Sequence, residues 1–174
     1  AYLVLKYAKT HPQVLQEVIS FSKRADGTPG STAGVRAGEK ISVGELLYGL
    51  MLPSGNDASV AFAEFFGGRL SGKEDCTAEQ SYDLFIGLMN TTANQLGMND
   101  SHYVNPHGLT ANGHLLSAAD LAKLAYAAFN IPLFRQYVNT RQHATQVTTA
   151  DAPRLITWKN TNRLLGIAGY GGVK

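Results

Sequence analysis

Leu46-Leu47-Tyr48-Gly49-Leu50-Met51-Leu52-Pro53-Ser54-Gly55-Asn56, followed by Asp57-Ala58, is the stretch that decides how this chain is read. Leu46, Leu47, Leu50 and Met51 fall at helical spacing, and Pro53, which lacks an N–H and clashes with the preceding turn, ends that helix. Upstream, Ser42-Val43-Gly44-Glu45 has the spacing of a capping box, in which serine and glutamate each satisfy an orphan backbone donor. Downstream, Asp57 is placed to cap a second helix whose apolar residues Val60, Ala61 and Phe65 reach Gly67-Gly68. Ser54-Gly55-Asn56 is therefore an elbow between two helices, presenting a hydroxyl and an amide at a helix entrance. Taken alone, such a tripeptide is an ordinary helix start, because serine and asparagine both favour that position. Its weight rises with the other end of the chain, Gly171-Gly172-Val173-Lys174, where a glycine-rich approach delivers a lysine. The two segments supply two of the three elements of a serine acyl-transfer site.

Working outward, Ala1 to Lys9 is apolar almost all round and predicts a helix buried on several sides, ended at His11-Pro12. Glu17 to Ser22 suits a strand, and Asp26-Gly27-Thr28-Pro29-Gly30 is a strong turn signal. Arg69 to Gln80 is polar and reads as a surface loop. Tyr82, Phe85, Met89, Thr92 and Leu96 predict a third helix stopped by Gly97, with Met89 in its core. Asn99 to Leu116 reads as an ordered loop, Ser117 and Asp120 open another helix, and Pro132 closes that unit. Ala144 to Thr149 and Leu155 to Trp158, separated by Asp151-Ala152-Pro153, predict a hairpin. Helices in the middle with strands near the ends give an α+β class, an all-helical lobe inserted in an antiparallel-sheet lobe.

With 174 residues and 44% apolar content, the chain is sized for one domain. The net charge of +2 is mild and scattered, and no basic block is interleaved with aromatics, so nucleic acid is not expected as a partner. The single cysteine, Cys76, leaves no internal disulfide and no paired metal spacing. The longest apolar runs, Ala1 to Leu5 and Val43 to Leu52, fall short of the roughly 20 residues of a membrane span.

The stretch from Gly30 to Glu64 resembles the serine-type D-alanyl-D-alanine carboxypeptidases, the low-molecular-weight penicillin-binding proteins. The likeness continues in order through Phe85 to Asn90, Leu96-Gly97-Met98, His107-Gly108-Leu109, Ser117 to Leu121, Asn160-Thr161-Asn162 with Leu164-Leu165, and Gly172-Val173-Lys174. It implies a β-lactamase/transpeptidase-like fold, in which residues 1–174 are one incomplete catalytic domain. Residues 42–140 would form mainly the helical lobe, and 1–41 with 141–174 parts of the sheet-bearing lobe. The departures are at the ends: the family's S-x-x-K nucleophile motif is absent, its place in relatives lying about seven residues before Ala1, and K-T-G is cut after its lysine.

The resemblance implies hydrolysis of the terminal D-Ala-D-Ala bond of peptidoglycan stem peptides through a serine acyl-enzyme, with β-lactams as covalent inhibitors. Ser54 would relay a proton, Asn56 would orient substrate and lysine, and Lys174 would hold the terminal carboxylate of the peptide. Gly55 would matter for lacking a side chain where the backbone bends, and His107 and Gly108 would lie in a loop near the cleft, so Gly55, Lys174, His107 and Gly108 are the substrate-binding candidates. No cofactor and no metal are assigned. The implied location is exported, periplasmic or cell-envelope, with membrane attachment only through segments outside this sequence.

Three other readings are weighed against it. His102, His107 and His114 with Asp100 could evoke a zinc peptidase, but no H-E-x-x-H occurs and Pro106 and Gly108 keep two imidazoles off one helical face. A class A β-lactamase relies on a glutamate acting through water for deacylation, and no glutamate follows Glu79. A catalytically silent peptidoglycan-binding homologue is the remaining alternative.

Overall fold

The computed structural model describes residues 1–73, 75–149, 152–169 and 172. By their contacts these group into two units, one formed by residues 1–61 with 132–174 and the other by residues 62–131.

The first unit is built on antiparallel pairs. β1 (Val18–Ser20) pairs with β2 (Lys40–Ser42) in the register Ile19 to Ile41, and β3 (Gln142–Val147) pairs with β4 (Arg154–Lys159) from Gln142–Lys159 to Val147–Arg154. Lys40 and Thr148 exchange backbone hydrogen bonds of 2.9 Å in both directions, which ties the hairpin to β2. The unit also holds α1 (Tyr2–Ala8), a 3-10 turn (Pro12–Gln16), α2 (Lys23–Asp26), α3 (Val43–Met51) and α7 (Pro132–Asn139), with α3 packed on β2, the 3-10 turn and α7, and α1 on the 3-10 turn and α7. Val4, Leu5, Val14, Ile19, Phe21, Val43, Leu46, Leu47, Phe134, Val147 and Trp158 form its apolar core. α4 (Asn56–Leu70) starts in this unit and runs into the second, which also holds α5 (Ala78–Gln95) and α6 (Ala118–Phe129). In the second unit Phe62, Phe66, Tyr82, Phe85, Ala93, Met98 and Ala128 are buried. No described helix is long and apolar enough to cross a membrane.

The helix over residues 1–9, the strand near 17–22, the hairpin and the stop at Gly97, whose φ is 71°, appear as the sequence predicts. Other features differ, each for a tertiary reason. Ser42 does cap α3, its Oγ accepting from Glu45 N at 3.3 Å, but Glu45 does not return the bond. Its carboxylate sits 2.6 Å from His143 Nε2, on an imidazole stacked against Tyr48 at a centroid distance of 3.7 Å. Asp57 is the second residue of α4 rather than its cap. Gly67-Gly68 does not end α4, because both glycines lie inside it, Gly67 where α5 crosses closely and Gly68 against Lys73 and Cys76 of the connecting segment. Gly68 N donates to Ser81 Oγ at 3.0 Å, and that hydroxyl donates on to Ala63 O at 3.1 Å. α5 instead opens with a true capping box, Thr77 with Gln80.

Pro132 closes the unit that precedes it, α6 ending at Phe129 and the second unit at Ile131, and it also begins α7, a position where its missing N–H costs nothing. α7 packs on α1 and α3 and buries Phe134, Tyr137 and Val138, and Tyr137 Oη donates to Gly44 O at 3.0 Å. The grouping by contacts also takes residues 42–61 into the sheet-bearing unit, since α3 lies on the 3-10 turn, β2 and α7.

A charged clasp joins the hairpin to the residues ahead of β2. Arg154 donates to Glu39 in a fork, Nε to Oε1 at 2.9 Å and Nη2 to Oε2 at 2.6 Å, and Arg36 N adds a bond of 2.8 Å. The Arg154 guanidinium, opposed by burial, holds the Glu39 carboxyl below its ordinary value of 4.5. A depressed carboxylate contributes stability above its unfolded value and loses it as pH falls through its folded value. Glu39→Gln is therefore expected to be about 1–2 kcal/mol less stable than wild type at pH 7. The gap should close as pH drops below 4.5. Urea midpoints of the two proteins at pH 7 and pH 3 check this, and a gap of equal size at both pH values would contradict it.

Candidate active site

Ser54 carries the only left-handed non-glycine backbone among the described residues, at φ 66°. That region costs an L-residue about 1–2 kcal/mol, so its occupation by serine needs support from its surroundings. The support is visible on both sides. Gly55 N donates to Gly49 O at 3.2 Å, Asn56 N to Ser31 O at 2.8 Å, and Asn56 Nδ2 to Pro29 O at 2.9 Å. Ser54 itself is exposed, and its hydroxyl bonds to no described residue. Asn56 is 9% exposed; with one amide proton given to Pro29, it keeps a second proton and Oδ1 for other partners.

The bend thus falls on Ser54 and not on Gly55. What requires glycine at 55 is space: a Cβ there would stand 2.7 Å from Gly49 O, 2.8 Å from Asp57 Oδ1 and 2.9 Å from Ala33 N.

Lys174, the third member of the proposed set, lies outside the described residues, as do Gly171 and Val173. Gly172 is described and buried, and its carbonyl accepts from Asn162 Nδ2 at 3.1 Å. One residue earlier, Thr161 N donates to Leu52 O at 3.1 Å. Asn160 completes the turn, its Oδ1 accepting from Asn162 N at 2.9 Å and its Nδ2 donating to Val138 O and Thr140 O, each at 3.0 Å. Residues 160–162 therefore grip the backbone two residues before Ser54 and two residues before Lys174. The Asn-Thr-Asn string is noticed in sequence, but its bridging geometry cannot be read there.

His107 and Gly108 belong to the second unit. Their immediate role is in a tight turn: Gly108 N donates to Asn105 Oδ1 at 2.7 Å, Asn105 Nδ2 donates to Leu109 O at 2.9 Å, and Leu109 N donates to His107 Nδ1 at 3.2 Å. Burial, aided by nearby His114, pushes the His107 pKa below its ordinary value, favouring the neutral ring. His114 Nδ1 likewise accepts from Val104 N, at 3.3 Å, so both imidazoles serve the loop. No group of three His, Cys, Asp or Glu among the described residues could hold a metal ion.

The letters S-x-x-K do occur once in the described chain, at Ser20-Phe21-Ser22-Lys23. A nucleophile with a lysine base needs both side chains on one helical face, one turn apart. Here Ser20 ends β1, paired opposite Lys40, while Lys23 starts α2, whose cap is Ser22 with Oγ accepting from Ala25 N at 2.9 Å. The match is one of spelling only.

Sequence reasoning passed over Asp57 as more than a cap. It is 1% exposed, and its carboxylate accepts from Thr32 Oγ1, Ala33 N, Gly34 N and Ala58 N. Trp158 is a second omission, its Nε1 donating to Ala33 O at 2.7 Å. The available signal for Asp57 was an acid directly behind Asn56 at a helix start; nothing local points to Trp158.

Among proteins of known identity, the chain is 38% identical over 147 residues to a D-alanyl-D-alanine carboxypeptidase of Streptomyces sp. strain K15, covering 83% of this chain and 48% of that protein. It is 34% identical over 161 residues to the D-alanyl-D-alanine carboxypeptidase DacF of Bacillus subtilis strain 168, covering 92% of this chain and 38% of the relative. The chain thus spans half or less of the length of these relatives. A point mutant of the Streptomyces K15 DD-transpeptidase superposes with a TM-score of 0.86 at 32% identity, over 99% of this chain and 67% of that one. The α+β architecture is therefore that of the DD-peptidase fold. The family model for D-alanyl-D-alanine carboxypeptidases matches residues 1–174 throughout, so that the chain belongs to the peptidase S11 family.

Proposed function

We propose that the chain is part of a penicillin-sensitive serine enzyme that hydrolyses the terminal D-Ala-D-Ala bond of peptidoglycan stem peptides. The observation that carries this reading is Ser54. A strained, exposed serine with an unspent hydroxyl, braced by bonds on the residues around it, is a feature kept for chemistry rather than for folding.

In this reading the nucleophilic serine attacks the carbonyl between the two D-alanines, with the lysine of its own motif as base. Ser54 passes the proton toward the leaving amine, since a hydroxyl both accepts and donates. Asn56 uses its second amide proton and Oδ1 to orient the substrate and the catalytic lysine. Lys174 holds the free carboxylate of the peptide terminus, which favours a carboxypeptidase over an endopeptidase. His107 and Gly108 shape a loop on the substrate side, with a neutral His107. Stem peptides are the partner and β-lactams covalent inhibitors, and neither nucleic acid nor a metal or cofactor takes part. Such a substrate places the protein outside the cytoplasmic membrane, in the periplasm or cell envelope.

The test is incubation of the complete protein with a labelled penicillin, followed by intact-mass measurement, alongside D-alanine release from a peptide ending in D-Ala-D-Ala. A persistent stoichiometric adduct and D-alanine release are expected. No adduct would favour a silent peptidoglycan-binding homologue, and an adduct that turns over within seconds would favour a β-lactamase. The lack of any glutamate after Glu79 argues against that last outcome.

A further inference from the structure

The buried carboxylate of Asp57 is spent mostly away from its own helix. A carboxylate in the first turn of a helix ordinarily serves that turn's free N–H groups and the positive end of the dipole. Of the four donors on Asp57, only Ala58 N, at 2.8 Å, belongs to α4. The others come from residues 32–34: Thr32 Oγ1 at 2.7 Å, Ala33 N at 2.7 Å to one oxygen and 3.0 Å to the other, and Gly34 N at 3.1 Å.

The same short segment is held from its other side by the hairpin. Ala33 O accepts from Trp158 Nε1 at 2.7 Å, and Gly34 O from Arg154 Nη2 at 2.9 Å. Just upstream, Ser31 O and Pro29 O accept from the backbone and side chain of Asn56. Residues 29–34 are thus a strut between the Ser54–Asn56 elbow and β4, and Asp57 is its most heavily bonded joint.

We propose that Asp57 is a positioning residue for acyl transfer: by locking residues 32–34 onto the start of α4, it keeps Ser54 in its left-handed conformation with the hydroxyl displayed. The inference rests on the reading of Ser54 as part of an acyl-transfer site. A strained residue persists only where its surroundings over-determine it, and Asp57 is the group that fixes the neighbouring backbone from two directions. It does not act as acid or base toward substrate, because it is 1% exposed and its lone pairs already face four donors.

The experiment is a double-mutant cycle on the complete protein, reading the second-order rate of acylation by a labelled penicillin and the melting temperature. Asp57→Asn keeps the shape of the side chain but turns an acceptor into a donor facing Thr32 and Gly34. It is expected to slow acylation about tenfold, and Thr32→Ala, which removes one bond of the joint from an exposed side chain, about threefold. In a Ser54→Ala background neither change should slow the residual rate further, because both act through Ser54. A merely structural role would lower the melting temperature and slow both backgrounds by the same factor. Equal slowing in both backgrounds, or a wild-type rate in both single variants, overturns the assignment. Should Asp57→Asn fail to fold, Thr32→Ala alone decides between these outcomes. A wild-type protein that takes no label sinks the acyl-transfer reading and this assignment together, whereas a labelled wild type with unaffected variants sinks only the latter.

Discussion

Ser54→Ala and Ser54→Gly are both expected to slow acylation of the complete protein about 10²- to 10⁴-fold, the range that a positioned proton-transfer group supplies. Their stabilities should diverge. The Ser54 hydroxyl bonds to no described residue, so alanine removes no folded-state hydrogen bond and keeps the strain of φ 66°. Glycine enters the left-handed region freely, which recovers about 1–2 kcal/mol, against about 0.5–1 kcal/mol lost to the greater freedom of the unfolded chain. The glycine variant should therefore denature at a higher urea concentration than the alanine variant, by about 0.5–1 kcal/mol, while being no more active. An inactive protein that gains stability is the signature of a residue kept for function. Wild-type acylation by both variants would remove Ser54 from the site, and a glycine variant less stable than alanine would show that the turn is unstrained.

The largest expected effect on folding belongs to Gly67. A Cβ at this position inside α4 would overlap the carbonyl oxygen of Ser81 and come within 2.6 Å of Ser81 C and 2.9 Å of Phe85 N. All three are backbone atoms of α5, which no rotamer change can move aside, so the two helices must separate and leave voids beside Phe66 and Phe85. Gly67→Ala should cost about 4 kcal/mol or more, or about 10 °C in melting temperature. Gly87→Ala in α5 is the control, for its Cβ would meet nothing within 4 Å. There the better helix propensity of alanine should add about 0.5–1 kcal/mol. Thermal melts of the two variants beside wild type check the pair, and similar small shifts for both would show that α4 and α5 do not approach closely at Gly67.

Much of the fold was legible because its signals are local. Helical spacing from Leu46 to Met51 with Pro53 behind it, the threonine- and valine-rich runs around Asp151-Ala152-Pro153, and the stop at Gly97 each involve residues within one or two turns of one another. Misreadings arose where a local signal has two tertiary outcomes. Pro132 closes the unit before it, as read, but the helix it opens was missed, because α7 forms by burying the apolar face of Phe134, Tyr137 and Val138. Gly67-Gly68 has the form of a helix stop, yet Gly67 serves as the notch into which α5 packs and Gly68 makes room for Lys73 and Cys76. Glu45 fits a capping box, but an imidazole 98 positions away takes its carboxylate.

At the candidate site the same division holds. Ser54, Gly55 and Asn56 were singled out by order and spacing, and the family by the succession of motifs from Gly30 to Lys174. By itself the sequence determined the α+β class, the elbow between two helices and membership of the family, because periodicity, turn chemistry and motif order are properties of neighbouring residues. Only the tertiary structure decided that the strained backbone falls on Ser54, that Gly55 is a matter of space, and that Asp57 joins α4 to residues 32–34. Those outcomes rest largely on hydrogen bonds between segments 23 to 27 positions apart and on the close contacts they impose, which exist only after the chain has closed on itself.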